Sequence, residues 1–339
     1  MVPDWIPAGL EPVVYRLARA DACAYSIADR ISAWSANGPT ELEQVRRDGS
    51  AYDVVVQRVR PVAPEVALLF SEAIHHLRAA LDNVVWYLVE QVHAPLTPRV
   101  ARQVALPIHD REAAYDRWTQ QRIRDGLGAF ASTATLGQRV RSLQPFANPA
   151  ESVPSISAVM ATLSGMDREL AHPLRLLQDY SNEDKHRQIR VAAARTIAST
   201  YDRPILEQDR RQHPVAVGMV IASGVWGTPQ IVEMNTAAAI KRPGESEAWV
   251  NPVKEVSALR QYVADIAIPT LLTGLALPGG IPPAVDLGDT GLDDRERIAA
   301  GGYEDAEARF APRLARLFTM AQEAQPAWME PPGEVPPIS

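Results

Sequence analysis

A chain of 339 residues, 46% hydrophobic and 22% charged, is long enough to bury a large core and has an ordinary globular composition. Its formal net charge of −7, without a long basic run, excludes a surface that grips DNA along its whole length; the single cysteine, Cys23, excludes an internal disulfide and a four-cysteine zinc site. No stretch reaches the ~18 uninterrupted apolar residues of a membrane span, and no basic-then-apolar leader opens the chain, so the expectation is a cytoplasmic protein with no membrane partner.

Residues 1–12 form a proline-bearing lead. From 13 to 35, Leu17, Ala24, Ile27, Ala28, Ile31 and Trp34 recur at helical spacing and predict an amphipathic helix closed by Asn37-Gly38-Pro39. The β-branched run "AYDVVVQRV" (51–59) predicts a strand, paired with 40–47. Pro64 opens a second helix over about 65–93. Between 94 and 152, breakers surround two shorter helices, after Asp110 and after Thr135, each with a capping residue type at its start.

Pro173 suits the first turn of a further helix running to about 190. There the texture changes: "RVAAARTIAS", "RPILEQ", "PVAVGMVIAS" and "PQIVEMN" predict a small antiparallel sheet over about 190–236. Helical spacing returns at 254–276 through Val256, Leu259, Val263 and Ile266, with a kink expected at Pro269. The segment 277–294 has linker composition, 295–325 is a C-terminal helical region whose last helix (about 303–324) is interrupted by Pro312, and 326–339 has the composition of a disordered tail. The predicted architecture is mainly α: a helical bundle over 13–276 with a small antiparallel β insertion and a C-terminal helical extension, an α+β fold being the alternative.

Two polar clusters stand out. On the helix that carries "SEAIHHLRAALDN" (71–83), at 100° per residue, Ile74, Leu77, Leu81, Val84, Val85 and Leu88 form one apolar face. Glu72, His76 and Asn83 form one polar stripe, and Ser71, His75, Arg78 and Asp82 another. The second cluster, "SNEDKHR" (181–187), closes the helix that begins at Pro173 and supplies Asp184, Lys185, His186 and Arg187. The candidate ligand-binding set is His75, Arg78 and Asp82 with Asp184, Lys185, His186 and Arg187; Glu72 and His76 form an ordinary i,i+4 surface pair.

Three chemistries compete for these residues. Glu72-x-x-His75 and Glu183-x-x-His186 match the i,i+3 pairs of carboxylate-bridged metal centres, which makes a di-iron or other divalent site, in an oxidase or hydrolase, one alternative. Such a centre needs further carboxylates, and Asp21, Asp29, Glu255 and Asp265 are what the neighbouring helices offer. A second alternative is a buried polar clasp of Arg78, Asp82, Asp184 and His186 between two core helices, without substrate. "PIHD" (107–110) holds His109 and Asp110 but no nucleophile elbow accompanies them.

The third chemistry rests on resemblance. The blocks "IHHLRAALDN" and "SNEDKHR" resemble those of an uncharacterised family of bacterial proteins whose first block reads like His-Asn-Leu-Arg-Ser-Ala-Leu-Asp-His and whose second reads like Asn-x-x-Asp-Lys-His-Arg; the resemblance covers about 13–275. Its arginine-to-histidine element is similar to the core motif of HEPN domains, helical bundles that include metal-independent ribonucleases and nucleotide-binding modules. The resemblance implies a homodimer, with Arg78 on a nucleotide or RNA phosphate. Asn83 stands where that motif carries its histidine, and an amide is no general acid or base, so phosphate binding by Arg78, Lys185 and Arg187 is implied rather than cleavage.

Overall fold

The computed structural model describes residues 5–93, 95–186, 189–200, 213–226 and 232–323. The chain opens with α1 (Glu11–Ala36), the hairpin of β1 (Thr40–Arg46) and β2 (Ala51–Val59), and α2 (Pro64–His93). Short elements follow: α3 (Pro98–Ala101), α4 (Glu112–Arg124), a 3-10 turn at Gly128–Phe130 and α5 (Thr135–Ser142). Strands β3 (Val153–Pro154) and β4 (Leu170–Ala171) flank α6 (Ala158–Ser164) and lead into α7 (Pro173–His186). Next come β5 (Val191–Thr200), β6 (His213–Pro214), β7 (Val220–Val225), β8 (Val232–Lys241) and β9 (Trp249–Val250). The chain closes with α8 (Pro252–Tyr262), a π-turn at Val263–Ala267, α9 (Ile268–Thr273), α10 (Asp294–Ala299) and α11 (Ala306–Glu323).

The fold is mainly α with small antiparallel sheets, and its centre is the pair α1 and α2. Val14, Leu17, Ala24 and Ile27 of α1 and Phe70, Leu77, Leu81 and Val84 of α2 are buried in one core, joined by Leu174 and Leu177 of α7 and Val256 and Leu259 of α8. Each set repeats at three- and four-residue steps, so each helix has a single stripe that leaves water only by packing on the others. Phe70 and Tyr180 meet edge to face at 4.9 Å and fix α7 against α2.

Several boundaries differ from the sequence expectation. The expected caps of the two short helices are displaced by one residue, in opposite directions: Arg111 precedes α4, Asp110 being ion-paired with Arg175, and Ala134 precedes α5, whose first residue is Thr135; neither helix has a side-chain cap bond. The expected kink at Pro269 is a π-turn. Proline has no N–H for the carbonyl of Asp265 four residues back, and that carbonyl accepts from Leu277 N at 2.8 Å instead. Pro312 lies within α11, which runs through it. The 277–294 segment is irregular as its composition implies, but it buries Ile281 and Val285 in the main core.

The strands at 190–236 divide between two sheets. β5 and β8 form the centre of a four-stranded sheet with β6 and β9 at its edges, whereas β7 leaves it to pair with β2, making a β1-β2-β7 sheet. On that sheet Tyr52, Val54 and Ala222 form a small core of their own. The "RPILEQ" run and part of "PQIVEMN" lie outside the described residues, as do Arg187 and the 326–339 tail.

Candidate functional site

α1 and α2 run antiparallel, and a polar seam follows their shared outer edge. From one end to the other, Arg30 Nε pairs with Glu65 (2.7 Å), Arg19 Nε with Glu72 (2.6 Å), and Arg16 reaches His76 and Asn83. Arg16 Nη1 lies 3.4 Å from His76 Nδ1. With the Asn83 amide turned to satisfy both neighbours, its oxygen accepts from Arg16 Nε at 3.0 Å and its nitrogen donates to the carbonyl of Ala79 at 3.1 Å. Among the described residues Arg16 has no carboxylate partner, unlike Arg19 and Arg30.

This seam sets the local protonation states. The Arg19 hydrogen bond holds the Glu72 carboxyl below its ordinary range. Burial, and then the Arg16 charge, lowers the pKa of His76. Cys23 lies under Glu72, and burial pushes its thiol up to about 12, so it behaves as a small apolar filler. His76 is therefore half-buried against α1 rather than a plain surface residue, while its neighbour His75 is exposed.

The other stripe of α2 is occupied by backbone. Arg78 donates through Nη2 to the carbonyl of Leu106, and Asp82 Oδ1 accepts from Leu106 N at 2.9 Å, the two side chains being 3.4 Å apart. One turn of helix thus satisfies both polar groups of an irregular residue, as a neighbouring strand would. Gln144, fully buried, continues the arrangement: its oxygen accepts from His109 N (2.9 Å) and its amide donates to the carbonyls of Pro107 (2.9 Å) and Val140 (3.0 Å). Arg78 and Asp82 are brought together, but on the 106–109 segment; Asp184 and Lys185 are exposed on α7. The side chain of His186 lies outside the described residues.

The carboxylates offered to a metal centre are largely taken by arginines. Glu255 receives Arg242 Nε and Nη2, each at 2.9 Å, and the Tyr180 hydroxyl at 3.1 Å. Arg242, with no exposed surface, also donates to the carbonyls of Val153 (3.1 Å) and Glu169 (3.3 Å), so every nitrogen of its guanidinium is used. Asp21, 2% exposed, accepts from Ala306 N at 3.0 Å and from Arg309. Asp29 pairs with Arg313. Among the described residues no group of three or more His, Cys, Asp or Glu side chains is placed to hold a metal ion. Sequence reasoning placed Glu255 and Asp21 among possible ligands and missed Arg242 altogether; "KRPG" carries no pattern that marks a buried cation.

No family model, curated protein or solved structure matches the chain.

Proposed function

We propose that this protein is a HEPN-like helical module that binds a phosphate-bearing ligand, a nucleotide or an RNA phosphate, on the α1–α2 seam. The observation that carries this reading is Arg16: a half-buried guanidinium with no carboxylate partner among the described residues, held beside a second basic group, His76, and oriented by Asn83. An anion beside Arg16 pairs with its charge and favours protonation of His76, and a planar guanidinium matches the geometry of phosphate oxygens. His75 is exposed one residue away and offers a further donor.

This reading shifts the contact from Arg78 to Arg16. Arg78 and Asp82 are committed to Leu106, and their part is to hold the 106–109 segment against α2. Binding rather than cleavage is the activity proposed, because Asn83 orients the arginine and cannot carry a proton.

Titration calorimetry of the full chain with ATP and with a short oligouridylate tests it. Saturable binding of at least one is expected, with Arg16→Gln weakening it about tenfold or more, as loss of a charge-assisted hydrogen bond worth roughly 1.5–3 kcal/mol requires. Absence of saturable binding to both, or an Arg16→Gln variant that binds as the parent does, overturns the proposal.

A further inference from the structure

Away from the α1–α2 seam, His172 and Tyr262 meet edge to face with ring centroids 6.0 Å apart. His172 precedes α7, and its Nδ1 accepts from Leu174 N at 3.2 Å, in the manner of a helix cap. An accepting Nδ1 fixes the neutral tautomer with its proton on Nε2. Among the described residues that Nε2 is buried without a hydrogen-bond partner, and so is the hydroxyl of Tyr262, a residue only 4% exposed. Buried polar atoms in a folded protein normally find partners, and two orphans on touching side chains are a departure from that rule.

The surrounding charges restrict what could satisfy them. Burial lowers the His172 pKa to about 4, and burial, then Glu151, raises that of Tyr262, so near neutral pH both side chains are uncharged. The Asp110 carboxylate also acts on His172, although it is ion-paired with Arg175. The Glu151 carboxylate, which acts on Tyr262, disfavours an anion. A cation gains nothing from the Nε2–H of His172, which only donates. An uncharged group with an acceptor oxygen satisfies both donors.

We propose that His172 and Tyr262 form a binding site for the carbonyl oxygen of a small uncharged molecule, of the carboxamide class, distinct from the α1–α2 face. The test uses the full chain with isotope-labelled histidine, observing the His172 Nε2 resonance while acetamide is added, with acetate and methylammonium as charged counterparts. A saturable shift with acetamide, at concentrations up to about 0.1 M as befits a four-atom fragment, and none with the two ions is expected. Tyr262→Phe removes one orphaned hydroxyl; it should leave the thermal midpoint unchanged or higher and reduce acetamide affinity at least threefold. The proposal is overturned if acetamide gives no saturable shift, if acetate shifts the resonance equally, if Tyr262→Phe binds acetamide as the parent does, or if a crystal soaked in acetamide shows an ordered water joining the two side chains.

Discussion

Arg242 and Glu255 form a side-on ion pair, two hydrogen bonds of 2.9 Å each, with both side chains almost wholly withdrawn from solvent. The pair joins the end of β8 to the first turns of α8, and through Tyr180 it reaches α7. Burial raises the Glu255 pKa while Arg242 opposes that rise. A pair of this kind is costly to break and much cheaper to replace whole, because a single deletion strands a buried charge. Arg242→Met and Glu255→Leu are each expected to lose about 3–5 kcal/mol of stability. The double variant should recover a large part of that loss, and equal, additive losses in a denaturant-based double-mutant cycle count against the account.

The Arg78–Asp82 grip on Leu106 makes a finer distinction. Asp82→Asn keeps an oxygen that can accept from Leu106 N, whereas Asp82→Ala leaves that N–H without its partner. The expected cost is about 1–3 kcal/mol for the alanine variant and clearly less for asparagine. Arg78→Ala should resemble Asp82→Ala in denaturant midpoint and leave nucleotide affinity unaltered, which separates its role from that of Arg16.

His76 gives the seam a direction with pH. Burial and the Arg16 charge depress its pKa below the ordinary 6.5, so at neutral pH it is uncharged and gains its proton only on acidification. An anion on the seam favours the protonated form, and ATP affinity should therefore rise as pH falls from neutrality. His76→Gln should flatten that part of the profile, after subtraction of the titration of ATP itself. Affinity that falls on acidification contradicts the placement of the phosphate beside His76.

His172 bears on acid stability. Its folded pKa of about 4 lies below the ordinary 6.5, so the unfolded chain binds the extra proton and the folded chain does not. The stability associated with the neutral ring is complete above pH 6.5 and is lost progressively toward about 4. His172→Asn keeps a residue type that caps a helix while removing the titration, and should shallow the decline in denaturant midpoint over that window. A parallel decline in both proteins eliminates His172 as its source.

Asp21 holds the start of α11. It accepts from Ala306 N and from Arg309, whose guanidinium also sits over Tyr25, and Phe310 packs edge to face on the same ring at 5.5 Å. Asp21→Ala should release the 300–310 region to limited proteolysis well before the rest of the bundle is cut. Unchanged cleavage kinetics would show that Phe310 alone suffices to dock the helix.

How much of this was legible in the amino-acid order depends on the range of the interaction. The apolar stripes of α1, α2 and α8 and the β-branched run of β2 are local periodicities, and they determined a mainly α fold with a hairpin near its start. The acidic and basic residues of "SEAIHHLRAALDN" were likewise visible, as was their division into two stripes. What covers each stripe was decided only in three dimensions: Arg16 and Arg19 from α1 on one side, the Leu106 backbone on the other. The same holds for β7, which hydrogen-bonds to β2 across more than 160 residues, and for Glu255, which meets Arg242 rather than a metal. A helical period fixes which face a residue occupies because it depends on backbone geometry within one turn. The identity of the partner depends on how several helices share one core, and no short-range pattern encodes that.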